Sequence, residues 1–251
     1  MQLPADDAMS LALLYHLNSE VWSNTEAYTD TPYEMLYKTV PDPQAITLAS
    51  DASPSDLAKL IEERQSCRRF APAVMPFDKM SRILNSGYGT TGLRDGAELP
   101  WPIWGRAVPS AGGLYPLELY AGVRNVEHVT DGVYHFNPLE RQLERIAGCE
   151  TMDLWRCLFY PEFLDNANLL VVISAVFRRM MKKYGPRGYR YILFEAGHCA
   201  QNICLLAAEC GLATLCLGGF RDSSINHALG LDGRDEAVIY CIGAGVQAPP
   251  D

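Results

Sequence analysis

No two of the eight cysteines stand in a C-x-x-C pair, which removes the usual spacing signal for a structural zinc site or a redox dithiol. They occur instead in runs such as NICLLAA around Cys204 and VIYCIGAG around Cys241, where a free cysteine reads as a small buried hydrophobe. The five histidines, at 16, 128, 135, 198 and 227, lack ligand spacing, so no metal is expected. Basic residues are in the minority: 21 Lys plus Arg face 30 Asp plus Glu, a formal net charge of −9. That excess of acid argues against a nucleic-acid partner, which needs a basic field to displace counterions. No apolar stretch reaches the roughly 18 residues of a membrane span, and the opening MQLPADD lacks the basic and then apolar succession of a signal peptide. The expected address is the cytoplasm. What is present in quantity is core-forming material: 251 residues, 48% of them hydrophobic, enough for one large domain or two small ones.

Two regions are expected, an N-terminal helix and wrapping segment over 1–52 and a main domain over 53–251. Met9, Ala12, Leu13, His16 and Leu17 fall near one helical face, whereas 25–53 is rich in Thr, Pro, Asp and Tyr without a sustained period. Ser53-Pro54-Ser55-Asp56 offers a helix start, with Ser53 as N-cap and Pro54 at the first helical position. A second helix is predicted from Phe77 to Ser86, stopping at Gly87, and Gly89 to Trp104 reads as a long Gly/Pro/Trp-rich loop. Strands are predicted at 117–124, 132–136, 142–146, 169–177, 212–217 and 237–242, with helices at 188–210 and 223–229. The 169–177 run is apolar throughout, the pattern of a strand buried on both faces. Strands and helices alternate without a regular βαβ repeat, which gives an α+β class.

Three segments could carry chemistry. In Arg64-Gln65-Ser66-Cys67-Arg68-Arg69-Phe70, three guanidinium groups and a hydroxyl gather at a helix end, a donor set suited to phosphate. The alternative is a solvated basic end that complements the helix dipole. Pro109-Ser110-Ala111-Gly112-Gly113-Leu114-Tyr115-Pro116 could bring backbone N–H groups against a flat ligand or a phosphate, or could be a plain turn. Leu217-Gly218-Gly219-Phe220, after a strand and before a helix, could present backbone amides to a cofactor, or again simply turn the chain.

Taken in order around one long helix, R-x-S-x-R-x-F, PSAGGLYP and strand-GGF-helix resemble the FMN-dependent nitroreductase superfamily. The resemblance sharpens at Gly132-Val133-Tyr134-His135-Phe136-Asn137-Pro138, at Lys183 to Tyr191 (KYGPRGYRY), and at Glu195-Ala196-Gly197-His198 through Asn202. These resemble the SagB-type branch, the thiazoline and oxazoline dehydrogenases of peptide natural products. Tyr15-His16-Leu17-Asn18-Ser19-Glu20 is similar to that branch's opening element, with Glu20 where a lysine is usual.

The resemblance implies a nitroreductase-like fold, a central mixed or antiparallel sheet flanked by helices, in an intertwined homodimer with two FMN molecules at the interface. It implies that Arg64 and Ser66 bind the FMN phosphate, with Arg68 near the phosphate or the pyrimidine carbonyl. Pro109, Ser110, Ala111, Gly112 and Gly113 would meet the ring system from the partner subunit. Leu217, Gly218 and Gly219 would bring a backbone N–H to flavin N5. The small-residue face Ala196/Gly197/Ala200 is expected either to pair helices across the dimer or to pack within one subunit. Lys183 and Tyr184 match the catalytic pair of the branch, with Tyr184 as base and Lys183 as its activator, since an ammonium beside a phenol favours the phenolate. Consecutive residues do not share a helical face, so both reach one site only where the backbone breaks, and Gly185-Pro186 supplies a break. Without the resemblance, the pair reads as a surface lysine and a packing aromatic. The implied activity is dehydrogenation of a peptide- or carrier-borne azoline, with hydride to N5 and reoxidation by dioxygen. The competing readings are an NAD(P)H-dependent nitro or quinone reductase and a flavin-binding module without turnover.

Overall fold

In a computed structural model the described residues are 5–19, 46–49, 53–94 and 103–249. Most of the expected wrapping segment, Glu20, and the tip of the 89–104 segment lie outside them. Helices α1 (Ala5–Asn18), α2 (Asp56–Glu63) and α3 (Phe77–Tyr88) precede a hairpin of β1 (Thr90–Arg94) and β2 (Ile103–Arg106). Strands β3 (Leu117–Val123), β4 (Gly132–Asn137) and β5 (Gln142–Arg145) follow, then α4 (Thr151–Trp155), β6 (Leu169–Val176), α5 (Phe177–Tyr184) and α6 (Arg187–Glu209). Strand β7 (Ala213–Leu217), helix α7 (Asp222–Leu229) and strand β8 (Glu236–Gly245) complete the chain. Six strands form one sheet in the order β5-β4-β3-β6-β8-β7, and every neighbouring pair is antiparallel. The fold is α+β, a central antiparallel sheet flanked by helices.

Strand β6 lies between β3 and β8, and its apolar run is explained by what covers it. Leu169, Val171, Ile173 and Ala175 point into the core formed with α3, α5 and α6, while Leu170 and Val172 point into the core formed with α4 and α7. The period of two is intact but masked, because both faces are dry. Helix α6 is the main cover of the first core. Ile192, Ala196, Cys199, Ala200, Ile203 and Ala207 are buried along it, a stripe at helical spacing. Ala196 and Ala200 therefore pack within the subunit; only Gly197 of the proposed pairing face is exposed. None of the described helices is long and apolar enough to cross a membrane.

Several boundaries differ from expectation for identifiable reasons. Ser55, not Ser53, caps α2: its hydroxyl accepts from the Ala58 N–H at 3.2 Å, so Pro54 falls before the cap. Helix α3 passes through Gly87 and ends at Gly89. Gly87 is there for packing, since a Cβ on it would stand 2.9 Å from Ile203 Cγ1 of α6. The 89–104 segment is not a plain loop: its two ends pair as the antiparallel β1/β2 hairpin, with Leu93 opposite Trp104. Phe177 opens α5 instead of closing β6, and α4 has no counterpart in the sequence reading.

Candidate active site

Two clusters of the expected site residues are visible, one near the C-terminal end of α6 and the other near its N-terminal end. The first begins where α2 ends. Arg64 is its C-cap, with extended backbone (φ −57°, ψ 120°), and the chain then runs alongside β7: Ser66 pairs with Thr214 in parallel, and the Cys67 N–H donates to the Thr214 carbonyl at 2.9 Å. This strand-like attachment brings Arg64, Ser66, Arg68 and Arg69 onto the wall of a cavity of about 570 Å³, closed by Gly211–Thr214 and Gln247–Pro249. Among the described residues Glu63 is the only acid on that wall. The basic cluster thus lines a concave surface past the end of α2. Planar guanidinium forks and a hydroxyl around a hollow of this size are the donor set that a phosphate monoester requires, and the residues present fit the phosphate end of FMN. Strand β7 leads away from that end, roughly 10 Å from Thr214 to Leu217 at about 3.3 Å per residue, to Gly218 and Gly219. Gly218 is exposed and a side chain there would meet nothing within 4 Å. Gly219 is held, its carbonyl accepting from the Phe159 N–H at 3.0 Å.

The second cluster joins two segments that are seventy residues apart. Ser110 to Gly113 forms a tight 3₁₀ turn in which Gly112 and Gly113 have φ of 63° and 65°, values that favour glycine over any L side chain. Gly113 N–H donates to the Ser110 carbonyl, and Tyr115 N–H donates to the Ser110 hydroxyl at 2.9 Å. Gly112 has a second reason to lack a side chain. A Cβ there would lie 2.7 Å from the Tyr184 hydroxyl and 2.8 Å from Lys183 Nζ. Both functional groups therefore converge on one point above the turn, within a few ångströms of each other. They do so because α5 ends at Tyr184: Gly185 takes φ 55°, ψ −147°, and Pro186 starts α6. Lys183 is exposed and Tyr184 half-buried. Tyr184 is braced edge-on by Tyr191, with ring centroids 5.1 Å apart.

Behind the turn lies a group of residues to which no role was assigned from the sequence. Glu195 is 1% exposed and accepts from the Tyr88 hydroxyl at 2.9 Å; its Oε2 has no hydrogen-bond partner among the described residues. Burial raises its pKa, opposed by the side chains of Ser110 and Tyr88 and by the charge of Arg106. The Arg106 guanidinium stands 4.6 Å over the Tyr88 ring and 5.5 Å over that of Tyr115, and the Tyr115 hydroxyl accepts from the Arg106 N–H at 3.1 Å. One signal in the sequence marks Glu195: it is a lone acid on the otherwise apolar face Ile192/Ala196/Cys199.

The N-terminal Tyr15-His16 element packs onto the same helices. His16 is buried and shares a 3.0 Å hydrogen bond with the Tyr189 hydroxyl, and Tyr15 meets the Tyr189 ring edge-on at 5.4 Å. It supports the helix junction that carries Lys183 and Tyr184, and burial lowers the His16 pKa. Among the described residues, neither the 109–113 turn, nor Lys183 and Tyr184, nor Leu217 to Gly219 lines the cavity of Arg64, Ser66 and Arg68.

Comparison with known proteins matches this architecture. The Nitroreductase family pattern covers residues 61–246. The nitroreductase-like protein MJ1384 of Methanocaldococcus jannaschii is 34% identical over 174 residues, 69% of this chain and 83% of that one. The microcin B17-processing protein McbC of Escherichia coli is 36% identical over 140 residues, and the match spans 53% of this chain and about half, 52%, of McbC. Among solved structures, the E. coli microcin synthetase McbBCD complex with truncated pro-MccB17 bound contains a chain that superposes with TM-score 0.71 at 23% identity, covering 98% of this chain and 94% of that one. A nitroreductase of Desulfovibrio desulfuricans in complex with FMN superposes with TM-score 0.53 at 17% identity, over 78% of this chain and 89% of that one. A family pattern spanning most of the chain, on an α+β scaffold of this topology, has one reading: the chain belongs to the nitroreductase family, in its SagB-type branch.

Proposed function

We propose that the protein is an FMN-dependent dehydrogenase that oxidises a thiazoline or oxazoline in a peptide to the aromatic azole. The observation that carries this reading is the convergence of Lys183 Nζ and the Tyr184 hydroxyl on Gly112, because azoline oxidation needs a base held beside a hydride acceptor. The family is one of oxidoreductases, an FMN-bound relative shares the fold, and a relative by sequence is named for microcin processing. Arg64, Ser66 and Arg68 hold the FMN phosphate, and Gly218 and Gly219 approach the ring edge. Bound there, FMN supplies the hydride acceptor, with dioxygen as terminal oxidant.

The chain's own groups do the rest. Tyr184 removes the proton from one ring carbon of the azoline, and the Lys183 ammonium beside it stabilises the phenolate that does so. The 109–113 turn would offer its glycines to the flavin ring when FMN is bound. Gly185 and Pro186 keep both catalytic side chains on one side by ending α5 where they stand. In this reading the working unit is a homodimer, in which the turn of one copy completes the flavin site of the other. The exposed face of α6, where Leu193 is 39% and Phe194 58% exposed beside Gly197, forms the contact. Helix α1 supports the α5–α6 junction through Tyr15 and His16, and the 53–251 region would hold the flavin.

Anaerobic mixing of the FMN-loaded protein with a thiazoline-containing peptide tests this reading. Bleaching of the flavin absorbance by the peptide is expected. Bleaching by NADPH with none by the peptide identifies a nitro or quinone reductase instead, and bleaching by neither leaves only a flavin-binding module.

A further inference from the structure

Cys204 and Cys216 are far apart in function as read from the sequence, one in an apolar helix and the other in a buried strand. In the fold their sulfurs lie 3.5 Å apart, Cys204 on α6 and Cys216 on β7. Cys204 is 3% exposed, whereas Cys216 is only partly buried. Cys216 stands two residues beyond Thr214, the residue paired with Ser66, so the thiol pair sits directly beneath the chain that carries the basic cavity. We infer that Cys204 and Cys216 form a peroxide-reactive thiol pair that closes into a disulfide between α6 and β7.

The two thiols have different environments, and the difference assigns their roles. The hydrogen bond from Cys204, then the side chain of Tyr240 and the charge of Arg64, hold Cys216 below the ordinary thiol value against the opposing effect of burial. The same sulfur–sulfur contact, together with burial, pushes Cys204 upward. Cys216 is thus the more accessible sulfur and the one with more thiolate, the form that reacts. Its thiolate attacks one oxygen of hydrogen peroxide, forming an S–O bond while the O–O bond breaks and hydroxide leaves to be protonated to water. Cys204 then attacks the sulfenic sulfur: the S–S bond forms, the S–O bond breaks, and the hydroxyl departs with the Cys204 proton as a second water. Two thiols are oxidised by two electrons and one peroxide is reduced to two waters.

The remaining cysteines are poor competitors. Cys199 and Cys241 are fully buried and shifted upward by burial, as is Cys157, while Cys149 is pushed up to about 11, again chiefly by burial. Cys210 is shifted the same way, and the Cys67 thiol donates to the Arg69 carbonyl at 3.0 Å. Hydrogen peroxide is also the product that a dioxygen-dependent flavin reaction releases, but the inference stands apart from the azoline reading because the oxidant can be added.

The folded, purified protein is treated with hydrogen peroxide, quenched in acid, denatured in N-ethylmaleimide and digested without reductant. Alkylatable thiols are expected to fall from the eight of the sequence to six, with one cross-linked peptide pair containing Cys204 and Cys216 that dithiothreitol resolves. In Cys204→Ser the cross-link is lost and Cys216 is trapped by dimedone as the sulfenic acid; in Cys216→Ser neither product forms. Retention of all eight alkylated thiols in the wild type, or a cross-link joining other cysteines, overturns the inference. The wild-type measurement decides the matter even if a serine variant does not fold.

Discussion

Gly112 is the residue on which the proposed chemistry depends most closely, because it meets two separate demands. Its left-handed backbone costs an L side chain about 1–2 kcal/mol, and the space a Cβ would fill already belongs to Lys183 Nζ and the Tyr184 hydroxyl. Gly112→Ala is expected to lower stability by about that amount in denaturant titration and to abolish azole formation. Lys183→Ala and Tyr184→Phe should each keep the flavin spectrum and lower turnover by about 10²- to 10⁴-fold, the range of a positioned proton-transfer group. Turnover undiminished in Tyr184→Phe would remove the base from the mechanism. Glu195 acts one layer back. Glu195→Leu leaves the buried Tyr88 hydroxyl without its acceptor and should cost about 1–3 kcal/mol, read by thermal unfolding; an unchanged midpoint would show that the network behind the turn contributes nothing. The proposed roles of Lys183 and Tyr184 come only from family resemblance, because alone the two read as a surface charge and a packing ring. The break at Gly185 that unites them is a backbone angle, which spacing only hints at.

At the scale of elements, what could be read in advance depended on how local the cause was. Strand β6 and helix α6 were legible because an unbroken apolar run and a stripe at helical spacing report burial directly. Gly87 was misread as a stop because the reason for it is Ile203, more than a hundred residues away on α6. Gly87→Ala should therefore strain the α3–α6 contact, with an expected loss of about 1–3 kcal/mol as for other overpacked interiors, whereas a helix-stop role would make it neutral or stabilising. The β1/β2 hairpin was hidden by the Gly, Pro and Trp of its tip. Strands β3, β4 and β5 are tied by His135, whose ring nitrogens face Glu118 at 3.0 Å and Glu144 at 3.2 Å. The hydrogen bond to Glu118 raises the His135 pKa, burial opposes it, and the bond and charge of Glu144 add to the rise. A raised histidine stabilises the fold below its unfolded value, near 6.5, and that contribution disappears as pH climbs through the folded value. The stability difference between wild type and His135→Gln should accordingly shrink as pH rises from about 6 to 8. A difference constant over that range would mean that His135 titrates alike in the folded and the unfolded chain.

For the whole molecule, an acidic chain gathers Arg64, Arg68 and Arg69 on the wall of one cavity, a cavity that Lys183 and Tyr184 do not line. From the residues alone the basic cluster read either as a donor set suited to phosphate or as a solvated helix end, and its attachment to β7 was not legible, since that depends on a pairing between residues 66 and 214. The proposed dimer rests on family resemblance and on the exposed Leu193 and Phe194 of α6. Phe194→Glu on the exposed face of α6 should yield a monomer by light scattering that has lost flavin affinity yet unfolds cooperatively; a dimer that still binds FMN would move the interface elsewhere. The most direct measurement is the mass of a thiazoline peptide before and after aerobic incubation with the FMN-loaded protein. The account predicts a product lighter by two hydrogens, formed by wild type and absent with Tyr184→Phe that retains its flavin. A peptide of unchanged mass after incubation with yellow, folded wild-type protein would contradict it.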